Sequence, residues 1–441
     1  MKENVISTVG LATLGCKVNQ CDSAALACDL AAAGFILAPF SGPADAYIIN
    51  TCTVTAFADF QARQLIRRAH RANPRARILV TGCYAQTQAR ALAALDHVSY
   101  IVGNDAKHRI PELLCAPVGT EGQKQVGDIF SVRQFFAAPV AGPANRTRAF
   151  FKIQDGCDAF CSYCIVPFAR GKSRSLSLDG FLSGARELAA RGYREIVLTG
   201  IHLGLYGQDL EPPVELVRAL AAVLPEHPQV RFRLSSIEPN EITDALLDLL
   251  IRHDNLCAHL HIPLQSGDDG VLRQMKRRYD SAFYRALVAK VVQTAPDVAV
   301  GVDVMVGFPG ESEEAFTRTL ELLRDLPLAY LHVFPYSERP GTAALAIEPK
   351  VLPAVKKERA AILRRLGMEK REGFARRFLG RTLPVLVEQA RDKKTGLARG
   401  FSHNYLPVVL DKAPGSLVNS IRSVKIEEYR ENRLTGRLID G

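Results

Sequence analysis

Apolar residues at the start of the chain fall into short runs that alternate with alanine-rich segments of helical length. Each run is followed by polar or small residues, which is typical of buried strands in an α/β sheet. The intervening segments Ser23–Ala33 and Ala56–Ala72 have the composition of helices. We therefore predict a small α/β domain over residues 1–117. Its strand-like runs are Val9–Leu14, Ala46–Asn50 and Ile78–Thr81.

A longer βα repeat follows residues 118–142, where the periodicity fades into Pro, Gly, Ala and scattered charge and predicts a linker. Six strand-like runs, separated by segments of helical length, predict a parallel sheet curled into a partial (βα)6 barrel over residues 143–375. Ligands of such sheets bind at the C-terminal ends of the strands. The runs are Phe150–Gln154, Glu195–Thr199, Arg231–Ser235, Ala258–Ile262, Val298–Val304 and Ala329–Phe334.

The C-terminal part changes character twice. Val355–Arg381 predicts a long helix with ten Lys or Arg against three Glu, which is typical of a solvated face or of a surface for nucleic acid. Short alternating runs such as Leu383–Glu388 and Tyr405–Leu410 then predict a small β-barrel module over residues 376–441. The predicted fold class is therefore α/β with a C-terminal β module.

Charge and composition narrow the function. The formal net charge of +10 favours a polyanionic partner such as nucleic acid. No segment approaches the roughly 18–20 continuous apolar residues of a membrane span, and the first residues lack the apolar core of a signal peptide. We therefore expect a cytoplasmic protein without a membrane partner. Its ten cysteines are then expected to be reduced thiols, and grouped thiols indicate metal binding.

The sharpest motif is the C-x3-C-x2-C group of Cys157, Cys161 and Cys164, directly after the first strand of the predicted barrel. Three thiolates on one loop can hold three irons of a [4Fe-4S] cluster and leave the fourth iron open to another ligand. A structural zinc site is the alternative, but it requires four ligands, and neither a fourth Cys nor a His lies nearby in the sequence.

This motif at the end of the first strand of a (βα)6 region resembles the radical S-adenosylmethionine (SAM) superfamily. The resemblance implies that the open iron chelates SAM and that the cluster cleaves it to methionine and a 5′-deoxyadenosyl radical. It also implies SAM contacts at strand ends and beside the cluster, although packing, a turn or helix capping would equally explain these residues. The candidates are Tyr163, Gly200, Ser235, Glu238 and Gln265.

Three further cysteines, Cys16, Cys52 and Cys83, each follow a strand-like run of the N-terminal domain. Three parallel strands would bring their C-terminal tips to one edge of the sheet, where three thiolates could hold a second [4Fe-4S] cluster. Three unrelated buried cysteines are the alternative, because free Cys is often buried. Cys21 lies close to Cys16 and could compete as a ligand, although we expect it to be a bystander.

Both cysteine sets together resemble the methylthiotransferase family, which combines a cluster domain, a radical SAM core and an RNA-binding TRAM module. The segment Leu14 to Gln20, which reads LGCKVNQ, resembles the branch acting on N6-threonylcarbamoyladenosine at tRNA position 37. The resemblance implies that one SAM methylates a sulfur at the Cys16/Cys52/Cys83 cluster and that a second SAM supplies the radical that activates C2 of the adenosine. It further implies a tRNA anticodon loop and a low-potential electron donor as partners.

Two alternatives stay open from the sequence. The first is a methylthiotransferase acting on isopentenyladenosine in tRNA or on an aspartate of a ribosomal protein. The second is a non-catalytic iron–sulfur RNA-binding protein. One group of residues is also ambiguous, since Arg170, Lys172 and Arg174 suit either an anion contact or a solvated turn. We assign structural roles to His202, His259, His261 and His332.

Overall fold

The computed structural model describes residues 6–115, 123–136, 147–411 and 414–439. The predicted domain boundaries after residues 117 and 142 lie outside these ranges. The chain forms two compact units. Unit 1 contains Met1–Gly142, Lys152–Leu176 and Ser337–Leu345, and unit 2 contains Pro143–Phe151, Ser177–Tyr336 and Ala346–Gly441.

Unit 1 is built on a parallel sheet with the strand order β2-β1-β3-β4-β5-β6. The central strand β3 is buried along its whole length, because helices cover both faces of the sheet. Its strands are β1 Thr8–Thr13, β2 Ile36–Ala38, β3 Ala46–Thr51, β4 Arg77–Gly82, β5 Tyr100–Val102 and β6 Gln123–Gln125. Its helices are α1 Lys17–Ala32, α2 Ala56–Ala72, α3 Cys83–Thr87, α4 Ala89–Ala93 and α5 Ile110–Cys115.

Two apolar cores, one on each face, hold this sheet. Ile48 belongs to one core and its neighbours Tyr47 and Ile49 to the other, as the alternation of side chains along a strand requires. The predicted α/β fold of this part of the chain is confirmed. The described part of the predicted linker, however, adds β6 to the edge of the sheet. That strand reads Gln-Lys-Gln and carries no apolar pattern from which it could have been predicted.

Residues 149–176 contain three short strands and one helix. β8 and β9 pair antiparallel at the two ends of the segment that carries Cys157, Cys161 and Cys164. The hairpin therefore fixes where that loop begins and ends. The elements are β7 Ala149–Lys152, β8 Gln154–Asp155, α6 Val166–Arg170 and β9 Arg174–Ser175.

Unit 2 contains the predicted barrel strands as two three-stranded sheets, β11-β10-β7 and β12-β13-β14. Single parallel bridges from Phe232 to Leu256 and from Ser236 to His261 connect β11 with the β12 region. The six strands thus follow one another in chain order, as predicted. The strands are β10 Glu195–Thr199, β11 Arg231–Leu234, β12 His259–His261, β13 Ala299–Val306 and β14 Tyr330–Pro335. The helices are α7 Leu178–Ala190, α8 Leu216–Glu226, α9 Asp244–Arg252, α10 Asp269–Gln274, α11 Ser281–Thr294, α12 Glu313–Asp325 and α13 Pro353–Arg376.

Short polar side chains start five of these helices. Each accepts a hydrogen bond from the backbone N–H three residues further on, which satisfies one of the free donors of the first turn. This capping explains why the helices begin where they do. The capping residues are Ser177, Thr243, Asp268, Asp280 and Ser312.

Gly301 is the glycine of β13, and the space beside it is too small for any side chain. A Cβ there would lie 2.0 Å from Cζ of Tyr330, whose ring fills the space beside the strand. We expect Gly301→Ala to lower the thermal unfolding midpoint, because overpacking a filled core costs about 1–3 kcal/mol. The matched control is Gly373→Ala in α13, where nothing lies within 4 Å and alanine favours the helix. Equal midpoints for the two variants would contradict this account.

The C-terminal module is a closed five-stranded barrel with the order β15-β16-β17-β19-β18, as the sequence predicted. Its apolar interior is continuous with Phe374 in the last turn of α13 and with Phe378 just after that helix. The predicted boundary at residue 375 falls at the end of α13. The strands are β15 Thr382–Val387, β16 Ala398–Ser402, β17 Pro407–Asp411, β18 Ile421–Arg430 and β19 Arg433–Leu438.

A buried ion pair attaches this barrel to the sheet of β10 and β11. Arg233 donates to Glu195 at 2.8 Å and also to the backbone oxygens of Ser402 and His403. Burial would raise the pKa of Glu195, but Arg233 lowers it to about 2. The carboxylate is therefore charged at neutral pH and holds the guanidinium against the barrel. Among the described residues, no helix has the length and apolar character needed to cross a bilayer.

Candidate cluster-binding sites

The three N-terminal cysteines lie at the C-terminal ends of three adjacent strands. Cys16 follows β1, Cys52 follows β3, and Cys83 begins α3 directly after β4. Gly15 has a φ of +94°, and a Cβ there would lie 2.6 Å from Cβ of Cys52 and 2.9 Å from its Sγ. Only glycine permits this approach of the two loops. The structure therefore brings these cysteines to one edge of the sheet, as predicted.

The thiols of this group influence one another electrostatically. Burial raises the pKa of Cys52 to about 12, and the neighbouring Cys83 and Cys16 add to the increase. Burial likewise raises the pKa of Cys83, against an opposing effect of Arg170. Two buried thiols whose thiolates are disfavoured, next to a third cysteine, are a donor set that fits a cationic cluster, because metal binding supplies the missing positive charge. Cys21 lies in α1, and its side chain is buried in the hydrophobic core.

Arg170 corrects the sequence interpretation of the basic residues that follow the C-x3-C-x2-C loop. It is only 2% exposed and donates to Asn19 at 2.5 Å, Asp22 at 2.9 Å and Asp155 at 2.8 Å. Burial would lower the pKa of this guanidinium, but Asp155 and Asp22 raise it well above its ordinary value. Arg170 is therefore an internal cation of unit 1, and of the two alternatives left open by the sequence, the solvated turn is wrong for this residue.

The same carboxylates hold two lysines and complete a buried charge cluster. Asp22 accepts from Lys107 at 2.8 Å and from Lys152 at 2.7 Å. Lys152 also lies 3.3 Å from Asp155. Sequence reasoning missed the cluster because its members are far apart in the chain, and an Asp within an alanine-rich helix gives no signal of its partners. It links α1, which follows Cys16, to the hairpin that carries the second cysteine group.

The loop of Cys157, Cys161 and Cys164 is closed by backbone contacts. The N–H of Cys157 donates to the oxygen of Gly171 at 3.0 Å, and that of Cys164 donates to the oxygen of Cys161 at 2.9 Å. A Cβ at Gly156 would lie 1.9 Å from the oxygen of Lys172, so the loop can close only with glycine there. All three cysteines are half-buried. The backbone of the loop is fixed, but its cysteines are partly accessible to solvent, which fits a cluster that must also admit a ligand.

Aromatic residues brace the same loop. Phe160, directly before Cys161, has a φ of +45°, a conformation that costs a non-glycine residue energy unless its surroundings hold it. Its ring stacks on Phe130 at 6.2 Å between centroids and meets Phe168 edge to face at 5.9 Å. These contacts hold the strained residue in place. Tyr163 is half-buried beside Cys164.

The segment Ser337–Leu345, here called the bridging segment, contacts residues next to cysteines of both groups in unit 1. Arg339 donates to Asp59 at 2.5 Å and to Thr53, next to Cys52, at 3.2 Å. At its other end, the N–H of Ala344 donates to the oxygen of Ser162 at 2.7 Å, between Cys161 and Cys164. One short segment thus ties the Cys52 loop to the other cysteine loop.

Arg339 and Asp59 are 3% and 6% exposed, so breaking their pair leaves a buried carboxylate without a counter-charge. We expect Arg339→Met to lower the free energy of unfolding of unit 1 by about 3–5 kcal/mol, measured by denaturant titration. Adding Asp59→Asn should recover most of the loss, because the isolated charge disappears. A double variant no more stable than Arg339→Met would contradict the assignment.

The predicted SAM-contact residues of unit 2 lie at strand ends. Gly200 follows β10 and is half-buried, whereas Ser235 follows β11 with its hydroxyl buried and without a hydrogen-bond partner among the described residues. Glu238 pairs with Arg277. Gln265 has a φ of +68° and exchanges backbone hydrogen bonds with β13. An unsatisfied buried hydroxyl such as that of Ser235 fits a polar ligand, and the role of these residues in binding SAM stays a prediction.

Much of the positive charge on the predicted basic helix is used internally. Arg359 is buried against Glu311 at 2.7 Å, and Lys370 donates to the backbone oxygen of Leu326 at 2.7 Å. Arg377 and Arg381 contact Pro296 and Asp297. The positive charge predicted from the sequence therefore serves partly to hold α13 against the segments that follow β13 and α12.

Two family models match the chain. The Uncharacterized protein family UPF0004 matches residues 8–103, and the Radical SAM superfamily matches residues 151–323. Among solved structures, the radical SAM methyltransferase TsrM from Kitasatospora setae superposes with a TM-score of 0.57 at 16% identity over 77% of each chain. The parallel strands and the matched model define a radical SAM enzyme, a class that uses SAM and a [4Fe-4S] cluster.

Curated relatives narrow the class. Threonylcarbamoyladenosine tRNA methylthiotransferase MtaB of Aquifex aeolicus is 38% identical over 86% of this chain and 92% of its own length. The Bacillus subtilis protein of the same name is 40% identical over 87% and 86%. The tRNA-2-methylthio-N(6)-dimethylallyladenosine synthase of Sphingopyxis alaskensis is 34% identical over 88% of each chain. The chain belongs to the radical SAM methylthiotransferase family.

Proposed function

We propose that this enzyme adds a methylthio group to C2 of N6-threonylcarbamoyladenosine at position 37 of tRNA. Support comes from the relatives named threonylcarbamoyladenosine tRNA methylthiotransferase, which reach 40% identity to this chain. The relatives named for the dimethylallyladenosine substrate reach 34%. The observation that carries the proposal is the gathering of two separate groups of three thiols in unit 1. A non-catalytic RNA-binding protein would have no use for two cysteine groups that each leave an iron open.

In this proposal Cys157, Cys161 and Cys164 hold the [4Fe-4S] cluster that binds SAM. The cluster supplies one-electron cleavage of SAM, which provides the radical needed at an unactivated C–H bond. The chain itself fixes the loop through Gly156 and orients the sulfurs through the backbone bonds of the loop. Tyr163 would pack beside SAM, whereas Gly200, Ser235, Glu238 and Gln265 would offer polar and backbone contacts at strand ends.

Cys16, Cys52 and Cys83 would hold a second [4Fe-4S] cluster, which carries the sulfur to be transferred. Cys52 and Cys83 are buried at the sheet edge, whereas Cys16 is exposed, and Arg170 places a fixed positive charge close to Cys83. The bridging segment sets the spacing of the two cysteine loops because it bonds to both. Preorganised spacing is what group transfer between two sites needs.

The RNA partner would be the anticodon loop of tRNA, with the C-terminal β-barrel as the binding module. Contacts to phosphate position an RNA rather than specify it, and they weaken steeply with salt. Because tRNA is the substrate, we infer a cytoplasmic location. A low-potential electron donor is required for reductive cleavage of SAM.

The test is nucleoside mass spectrometry of tRNA from a strain lacking the gene, complemented with the wild-type chain or with Cys157→Ala. The wild-type chain should restore 2-methylthio-N6-threonylcarbamoyladenosine, whereas the variant should leave its unthiolated precursor. Restoration of a methylthio group on isopentenyladenosine instead would contradict the substrate. Absence of any methylthio nucleoside with the wild-type chain would refute a tRNA substrate altogether.

A further inference from the structure

Three polar side chains of unit 2 converge outside both cysteine groups. His261 ends β12, Asp303 lies in β13, and His332 lies in β14. Nε2 of His261 is 2.9 Å and Nδ1 of His332 is 3.3 Å from the same Asp303 oxygen. One ligand atom from each residue lies within 4.8 Å of the others. The sequence interpretation treated the histidines separately and had no means of bringing Asp303 to them.

Strand register explains the convergence. Asp303 pairs directly with His332, and His261 pairs with Gly301, two residues before Asp303. Residues two apart in a strand share a face, so all three side chains leave the sheet on the same side. The opposite side is packed: Val302 and Val304 are fully buried, and Leu331 contacts Gly367 of α13. The three polar groups are therefore held by rigid, adjacent strands.

A second layer of contacts orients the group. The Tyr330 hydroxyl lies 3.1 Å from Nδ1 of His261 and 2.7 Å from Nε2 of His259. With Nδ1 of His261 engaged by the hydroxyl, its Nε2 is directed at Asp303. Metal-binding histidines in proteins commonly have their second ring nitrogen fixed in this way. Gly301 leaves the room that the Tyr330 ring occupies.

Charge and exposure also suit a cation. The Asp303 carboxylate faces both imidazoles at hydrogen-bonding distance. His261 is buried, whereas the side chain of His332 is 50% exposed, so one side of the group is open. An additional ligand such as water or a carboxylate has access from that side.

We propose that His261, Asp303 and His332 form a binding site for a divalent transition-metal ion, with Zn²⁺ as the first candidate. Two imidazoles and one carboxylate are a donor set that zinc and iron(II) accept, with a further position left to an oxygen ligand. Bonds of about 2.0–2.1 Å in tetrahedral geometry place ligand atoms about 3.3 Å apart. The observed nitrogen–oxygen separations of 2.9 and 3.3 Å need little adjustment to reach that spacing.

The site contains no cysteine, so it is distinct from the proposed clusters and does not depend on the proposed function. The test is equilibrium dialysis of the anaerobically purified, cluster-loaded full chain against Zn²⁺, with zinc and iron quantified together. The wild-type chain should bind one equivalent of Zn²⁺ that Asp303→Asn and His332→Ala each lose, at unchanged iron content. The control is His253→Ala, a half-buried histidine of the same unit outside the group, which should keep the equivalent.

A second readout separates metal binding from damage to the fold. Because a ligand that binds only the folded state stabilises it, Zn²⁺ should raise the thermal unfolding midpoint of the wild-type chain and of His253→Ala but not of the two site variants. His332 is half-exposed, so its replacement should leave the metal-free midpoint unchanged. Equal zinc binding by the wild-type chain and folded site variants would overturn the proposal, as would a wild-type chain that binds no Zn²⁺.

Discussion

Replacing Cys157, Cys161 and Cys164 together by alanine is expected to abolish SAM cleavage by this enzyme. The three sulfurs are the proposed ligands of the SAM-binding cluster, and residues 157–164 contain no other cysteine and no histidine that could replace them. Iron content should fall by about four atoms per chain, the content of one [4Fe-4S] cluster. The measurements are iron analysis and 5′-deoxyadenosine formation with a chemical reductant.

The matched control is Cys115→Ala, an exposed cysteine at the end of α5 that belongs to neither group. It should keep the wild-type iron content and the wild-type rate of 5′-deoxyadenosine formation. Persistence of 5′-deoxyadenosine in the triple variant would mean that the radical arises at other ligands, and the assignment of this loop would fail.

Replacing Cys16, Cys52 and Cys83 together by alanine is expected to separate the two halves of the reaction. The C-x3-C-x2-C loop stays intact, so SAM cleavage should continue, while methylthio transfer to tRNA should fall below detection because the sulfur has no site. Iron content should again fall by about four atoms per chain. The measurements are 5′-deoxyadenosine and methylthio-nucleoside formation in the same reaction mixture.

Cys257→Ala controls for the loss of buried thiols, since Cys257 is 1% exposed and lies outside both groups. It should retain both products. Wild-type iron content in the triple variant would contradict a cluster at the sheet edge, and loss of both products at once would contradict the division of roles.

Most strands of the fold and the two groups of three cysteines could be predicted from the sequence alone. Each apolar run of the barrel region became a strand within about two residues of its predicted ends, because buried parallel strands require continuous apolar runs whatever they pack against. Cys157, Cys161 and Cys164 could be recognised as a group because all three lie in one short loop with the spacing C-x3-C-x2-C. Cys16, Cys52 and Cys83 could be grouped because the C-terminal ends of neighbouring parallel strands meet at one edge.

Only the tertiary structure decided which charged residues act together. Arg170 contacts Asp22, and Arg339 contacts Asp59, across separations of 148 and 280 residues. His261, Asp303 and His332 meet only through the register of three strands. Local patterns record which face of an element is apolar, but the partner of a buried charge depends on how distant elements pack. The sequence by itself therefore determined the strands and the thiols, whereas packing determined the contacts that hold and surround them.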